Sequence, residues 1–243
     1  MQAKDRIIFP IDVGSEAKAI EIAKTLKDEV GVFKIGLELT TSAGFGVIQA
    51  LNKIGIEKIF LDLKLHDIPN TVAGAMKAVV QYGVWCVTVH TSGGSAMLEA
   101  AVRSAQQAAE ETGKRKPKVF GVTLLTSISG KALFEELNVC KPVQEYVVSL
   151  AVTARRAGCD GVIASPHEIE AIRKAIPDPN FLIVAPGVRP AGSDVGDQSR
   201  VMTPGEAIRK GANYLVVGRP ISESQDPVLA ARNIALEIES AIK

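Results

Sequence analysis

Short runs of β-branched and aromatic residues recur along this chain, and each is followed by a longer stretch whose apolar residues return with helical period. That alternation constrains the fold more than any other feature. Strands joined by crossover helices lie parallel, and the helices cover the sheet they connect. Eight strands are predicted, at Arg6–Asp12, Val32–Gly36, Lys58–Lys64, Val84–His90, Val119–Leu125, Gly161–Ala164, Phe181–Ala185 and Asn213–Val217. Each precedes a predicted helix, the last of which runs over Pro227–Ile242. Ser165-Pro-His-Glu168 and Thr203-Pro-Gly-Glu206 read as capping boxes with proline at the first helical position, and Asp226-Pro227 opens the last helix in a similar way.

Eight units of roughly 30 residues predict an α/β fold, a single-domain (β/α)8 TIM barrel over residues 1–243. A doubly wound open sheet is the alternative. It is disfavoured because the first βα turn, Asp12-Val-Gly-Ser15, lacks the glycine-rich dinucleotide fingerprint. No linker or low-complexity stretch divides the chain.

Charge narrows the choice of partner. Lys plus Arg number 28 and Asp plus Glu 27, a formal net charge of +1, with no dense basic stripe to track a nucleic-acid backbone. No nucleic-acid partner is expected, and any phosphate is held by a few placed groups. No apolar run approaches the ~20 residues of a membrane span. The chain opens without the basic and apolar regions of a signal peptide, so a cytoplasmic protein with no membrane association is expected. Cys86, Cys140 and Cys159 are read as reduced thiols, buried as small hydrophobes.

In a barrel of this kind, chemistry sits where strands end and βα loops begin. The polar residues at the predicted strand ends are Asp12, Lys34, Asp62, Lys64, His90, Thr126, Ser127 and Arg219, with Asp67 just beyond strand three. Asp62 and Lys64 are two apart on an extended segment, so both side chains point to one face and Leu61, Leu63 and Leu65 to the other. Charges facing inward from an apolar strand are costly unless partnered. Lys34 and Asp67 offer the compensating charges, giving an alternating array of lysine and aspartate. A structural salt bridge for Asp62 and Lys64, and a helix-capping role for Asp67, are the plainer readings of these residues taken singly. His66 is out of phase with the pair and is read as a loop or core histidine. At the far end, Pro186-Gly-Val-Arg189 and Val217-Gly-Arg-Pro220 end strands seven and eight, the usual place for a phosphate in such barrels. Gly218 permits close backbone approach and Arg219 offers a fork of donors. The loop from Gly187 to Arg200 reads as a lid.

Asp62-Leu-Lys-Leu-His-Asp-Ile-Pro-Asn-Thr71 closely resembles the signature of the orotidine 5'-phosphate decarboxylase family. The resemblance spans the chain and includes Asp12, Phe33-Lys-Ile-Gly36, Leu124-Leu-Thr-Ser127, Pro186-Gly-Val-Arg189, Asp197-Gln198 and Val217-Gly-Arg-Pro220. It implies decarboxylation of orotidine 5'-phosphate to UMP by a charged network of Lys34, Asp62, Lys64 and Asp67. It further implies that Asp12 and Lys34 contact the ribose and that Thr126 and Ser127 lie near the pyrimidine. Arg189, Gln198, Gly218 and Arg219 would serve the phosphate, with Ile68 and Pro186 as further substrate contacts. A homodimer is implied, in which Asp67 and Thr71 reach the partner's site. No metal or organic cofactor is expected, because Lys34, Lys64 and Arg219 supply the cations and no H-x-x-x-H or C-x-x-C spacing occurs. Three rivals remain: a metal-dependent decarboxylase or synthase on a related barrel, a sugar-phosphate isomerase or epimerase, and a non-catalytic phosphate-binding barrel.

Overall fold

Parallel pairing runs without a break from the first strand through the eighth and back to the first, closing a barrel. The structure is a computed structural model and describes residues 1–190 and 202–242. Its strands are β1 (Ile7–Pro10), β2 (Val32–Ile35), β3 (Ile59–Leu65), β4 (Cys86–His90), β5 (Lys118–Val122), β6 (Gly161–Ile163), β7 (Leu182–Pro186) and β8 (Tyr214–Val216). The helices are α1 (Glu16–Leu26), α2 (Leu37–Ala43), α3 (Gly46–Lys53), α4 (Pro69–Gln81), α5 (Gly94–Thr112) and α6 (Gly130–Glu135). After them come α7 (Val143–Arg156), α8 (Ile169–Ala175), α9 (Pro204–Arg209), α10 (Arg219–Ser222) and α11 (Pro227–Ile242). The molecule is therefore a (β/α)8 TIM barrel, with every predicted strand found and the last helix where it was expected. Several strands are shorter than predicted. In β5, for instance, Thr123 directs both its N–H (3.1 Å) and its hydroxyl (2.9 Å) onto the Ile163 carbonyl, and the chain then leaves the sheet.

Alternation along each strand divides the apolar residues into two cores. Ile7, Phe9, Phe33, Ile35, Ile59, Leu61, Val87, Val89 and Leu215 face outward and pack with the buried sides of the helices. Ile8, Val32, Phe60, Trp85, Cys86, Phe120 and Val184 fill the lumen. Its aromatic members lean on one another, with Trp85 edge-on to Tyr214 at 5.0 Å between centroids and 6.0 Å from Phe120. Phe60 lies 6.4 Å from Phe120. These aromatic contacts pack the lumen beneath the mouth of the barrel.

Local side-chain caps set several helix starts. Thr203 accepts the Glu206 N–H while the Glu206 carboxylate accepts the Thr203 N–H, a complete capping box for α9. Asp226 caps α11 by accepting the Leu229 N–H at 2.9 Å. Ser165 differs from expectation. Its hydroxyl accepts from His167 across a tight 3-10 turn, Pro166–Glu168, and Glu168 is buried rather than turned back to complete a box. Cys140 also departs from expectation, being exposed, whereas Cys86 and Cys159 are buried. Burial pushes the Cys159 thiol up to about 12 and the Cys86 thiol upward as well. Among the described residues no helix is long and apolar enough to cross a membrane.

Candidate active site

The period of two that puts Ile8, Val32 and Phe60 in the lumen carries the same face on to Asp12, Lys34 and Asp62 at the C-terminal mouth. Register places Pro10 beside Lys34 and Lys34 beside Phe60, so these ends meet side by side. The result is a continuous chain of opposite charges. Lys34 Nζ lies 3.1 Å from Asp12 Oδ1 and 3.7 Å from Asp62 Oδ2. Lys64 Nζ lies 2.8 Å from the same Asp62 Oδ2. Exposure grades outward, with the Asp62 and Lys34 side chains 11% and 12% exposed but that of Lys64 34%. A carboxylate so deeply set needs compensating partners, and two ammonium groups supply its countercharge. The array thus presents the Lys64 ammonium to the mouth while anchoring it from below.

The Asp62–Lys64 pair forms, but not by plain strand alternation. Lys64 has φ 51°, one of two non-glycine residues with positive φ among those described. The ladder to β4 shifts register between Leu61 and Leu65, as in a β-bulge. Left-handed backbone at a lysine costs roughly 1–2 kcal/mol. A buried hydroxyl on β4 holds the distortion: the Lys64 N–H donates to Thr88 Oγ1 at 2.9 Å, and Thr88 Oγ1 donates to Asp62 Oδ1 at 2.9 Å. Thr88 was not among the sequence candidates. Its signal was its place in Cys86-Val-Thr-Val-His90, on the same alternating face as lumen residue Cys86. Gly36 was also missed as a site residue. A Cβ there would stand 2.9 Å from Lys34 Nζ and 3.3 Å from Asp12 Oδ1, so the absence of a side chain makes room for that ion pair.

Other sequence candidates sit around this array. Asp67 is exposed, its Oδ1 accepts the N–H of Ile68 at 2.6 Å, and among the described residues it forms no ion pair. The single chain thus does not join Asp67 to the other three charges, contrary to the array read from spacing. Nor does Asp67 cap α4, whose N-cap is Ile68 with no side-chain bond. Ile68 and Thr71, at the start of α4, are both exposed. Thr126 and Ser127 form an exposed turn after β5. Pro186 ends β7, and Arg189 is buried, its N–H donating to the Met202 carbonyl. Gly218 precedes α10, and its close neighbour is Pro10, whose Cγ a Cβ would meet at 2.9 Å. Arg219 is exposed at the first position of α10. Gln198 lies outside the described residues. His66 stacks on His90 with centroids 5.3 Å apart, and His90 Nδ1 is 2.8 Å from Ser92 Oγ. Burial, then the nearby His66 and Lys64, hold His90 below its ordinary 6.5. Among the described residues no three His, Cys, Asp or Glu side chains cluster as metal ligands.

A family model described as "Orotidine 5'-phosphate decarboxylase / HUMPS family" matches residues 5–234, nearly the whole chain. The chain belongs to that family. Within the orotidine 5'-phosphate decarboxylase / HUMPS family, a relative from Moorella thermoacetica named orotidine 5'-phosphate decarboxylase is 51% identical over 239 residues, covering 98% of this chain and 94% of its own. One of the same name from Syntrophomonas wolfei is 43% identical over 98% of this chain and 100% of its own. Among solved structures, the orotidine 5'-phosphate decarboxylase from Lactobacillus acidophilus superposes with a TM-score of 0.84 at 41% identity, over 96% of this chain and 98% of that one.

Proposed function

We propose that this chain decarboxylates orotidine 5'-phosphate to UMP and carbon dioxide, the last step of UMP synthesis, as a carboxy-lyase of the cytoplasm. The observation that carries the proposal is the unbroken Asp12–Lys34–Asp62–Lys64 charge chain at the mouth of the barrel, ending on a half-exposed ammonium. The names borne by its full-length relatives support the same substrate.

The reaction breaks the bond between orotate C6 and its carboxylate, leaving the electron pair in the ring plane, where the π system cannot delocalise it. A fixed cation is the remedy. The Lys64 ammonium stabilises the pair as it develops and then gives its proton to C6, and solvent reprotonates the amine. Asp62 lies against the departing carboxylate and holds the ammonium in place. Repulsion between Asp62 and the substrate carboxylate is a minor driving force: two like charges about 4 Å apart cost about 4 kcal/mol at an effective dielectric near 20, or roughly a thousandfold in rate. Most of the acceleration therefore comes from the preorganised cation and from substrate binding at a distance from C6. In this reading Asp12 and Lys34 hold the ribose, Thr126 and Ser127 the pyrimidine, and Arg189, Gln198, Gly218 and Arg219 the phosphate, with Pro186 lining the pocket. No step requires a metal or an organic cofactor.

Asp67, Ile68 and Thr71 are proposed to act across a homodimer interface. One observation supports this: Asp67 is exposed and left outside its own chain's array, with Ile68 exposed beside it. The test is loss of the orotate ultraviolet absorbance on incubation with orotidine 5'-phosphate, with EDTA present. Turnover that persists in EDTA is expected. An unchanged substrate, or activity restored only by a divalent metal, overturns the proposal.

A further inference from the structure

The chemistry above assigns nothing to Thr88, although it is fully buried and bridges Asp62 and Lys64. Its two hydrogen bonds have a fixed sense. The Lys64 N–H can only donate, so it occupies a lone pair of Oγ1 at 2.9 Å, and the hydroxyl proton is directed to Asp62 Oδ1, also at 2.9 Å. With Oδ1 held in this way, Asp62 turns its other oxygen, Oδ2, toward both ammonium groups, at 2.8 Å from Lys64 and 3.7 Å from Lys34. The same hydroxyl secures the N–H of a residue whose φ of 51° is unfavourable for lysine.

We infer that Thr88 is a positioning residue: one buried hydroxyl sets both the orientation of the Asp62 carboxylate and the left-handed backbone of Lys64, and so fixes where the ammonium stands relative to the reacting carbon. It acts through its neighbours and touches no substrate. The inference deepens the decarboxylase reading and rests on it. It also explains why a β-bulge lies at this point of the sheet, since the register shift between Leu61 and Leu65 is what brings the Lys64 N–H to β4's hydroxyl.

The experiment compares the unaltered enzyme with Thr88→Val, Thr88→Ser and Thr88→Cys, measuring kcat and KM for orotidine 5'-phosphate, the Kd of UMP and the melting temperature. Valine keeps the shape and deletes the hydroxyl, serine keeps the hydroxyl, and cysteine offers only a weak donor. A misplaced ammonium harms the transition state more than the ground state. Thr88→Val is therefore expected to lower kcat by about ten- to a hundredfold while KM and the UMP Kd stay within about threefold. Serine is expected to restore kcat to within about threefold and cysteine to fall well short of it. If Thr88→Val does not fold, the serine and cysteine pair gives the answer. Wild-type kcat in the valine or the cysteine variant, or loss of UMP affinity in proportion to kcat, overturns the inference while leaving the decarboxylase reading intact. Absence of turnover by the unaltered chain overturns both.

Discussion

At the scale of single residues, Lys64 reconciles two opposing demands. In the proposed reaction its ammonium must be exposed enough to meet a substrate, at 34% of the side chain, yet must not swing free. The Asp62 carboxylate restrains the head and the Thr88 hydroxyl restrains the backbone, so the flexible stem is fixed at both ends. Lys34 is fixed differently, between two carboxylates in space left open by Gly36. Gly36→Ala should therefore push the Lys34 ammonium off Asp12, lowering kcat/KM for orotidine 5'-phosphate at least about tenfold with little change in melting temperature, since the displaced atom is the end of a flexible chain. A kcat/KM equal to that of the parent would show that the space above Gly36 does not matter. The Asp62–Lys64 proximity was legible in D-x-K, but the reason given by strand periodicity was incomplete, because the backbone between them is not regular strand. Thr88 was only faintly legible: alternation puts it on the face of Cys86, but threonine between valines is an ordinary strand former, and only the three-dimensional register shows what its hydroxyl touches.

At the scale of elements, the sequence announces its helices best where a cap is chemically complete. Thr203 and Glu206 bond reciprocally, and those hydrogen bonds hold the Glu206 carboxyl below its usual 4.5. A lowered carboxylate stabilises the fold above its unfolded value, and that contribution is lost as pH falls through the lowered value. Thr203→Ala should cost about 1 kcal/mol in urea unfolding at neutral pH, because it leaves an orphan N–H in the first turn of α9. An unchanged urea midpoint would mean that packing alone fixes this helix. Ser165-Pro-His-Glu168 has the same hydroxyl, proline and glutamate pattern at the same spacing, yet it tightens into a 3-10 turn and its glutamate is buried. The difference lies in where the barrel puts each glutamate, which local sequence does not encode. Strand ends are likewise set by neighbours, as the Ile163 carbonyl shows in holding Thr123 at the end of β5.

For the whole molecule, eight βα units made closure into a barrel legible, because a parallel sheet needs both faces covered and so many units in so short a chain satisfy that by wrapping round. What spacing alone did not reveal is the depth at which each charge sits. That depth follows from the stagger of the strands, which sets Lys34 beside Phe60 and leaves Asp62 just above the Phe60, Trp85 and Phe120 plug. Nor did the single chain bring Asp67 into the array, since the residue that completes it is proposed to come from a second copy. A net charge of +1 conceals this arrangement, in which lysines and aspartates cancel in sum but alternate in space. On the proposed mechanism the ammonium of Lys64, placed by that alternation, stabilises the electron pair that departing carbon dioxide leaves at C6 and supplies the replacing proton. Loss of orotate absorbance in EDTA, followed for the unaltered chain and for Lys64→Ala side by side, measures that role. Turnover by the unaltered chain is expected, with a loss of at least about a thousandfold in kcat/KM for the variant. Comparable activity in the two proteins would contradict it.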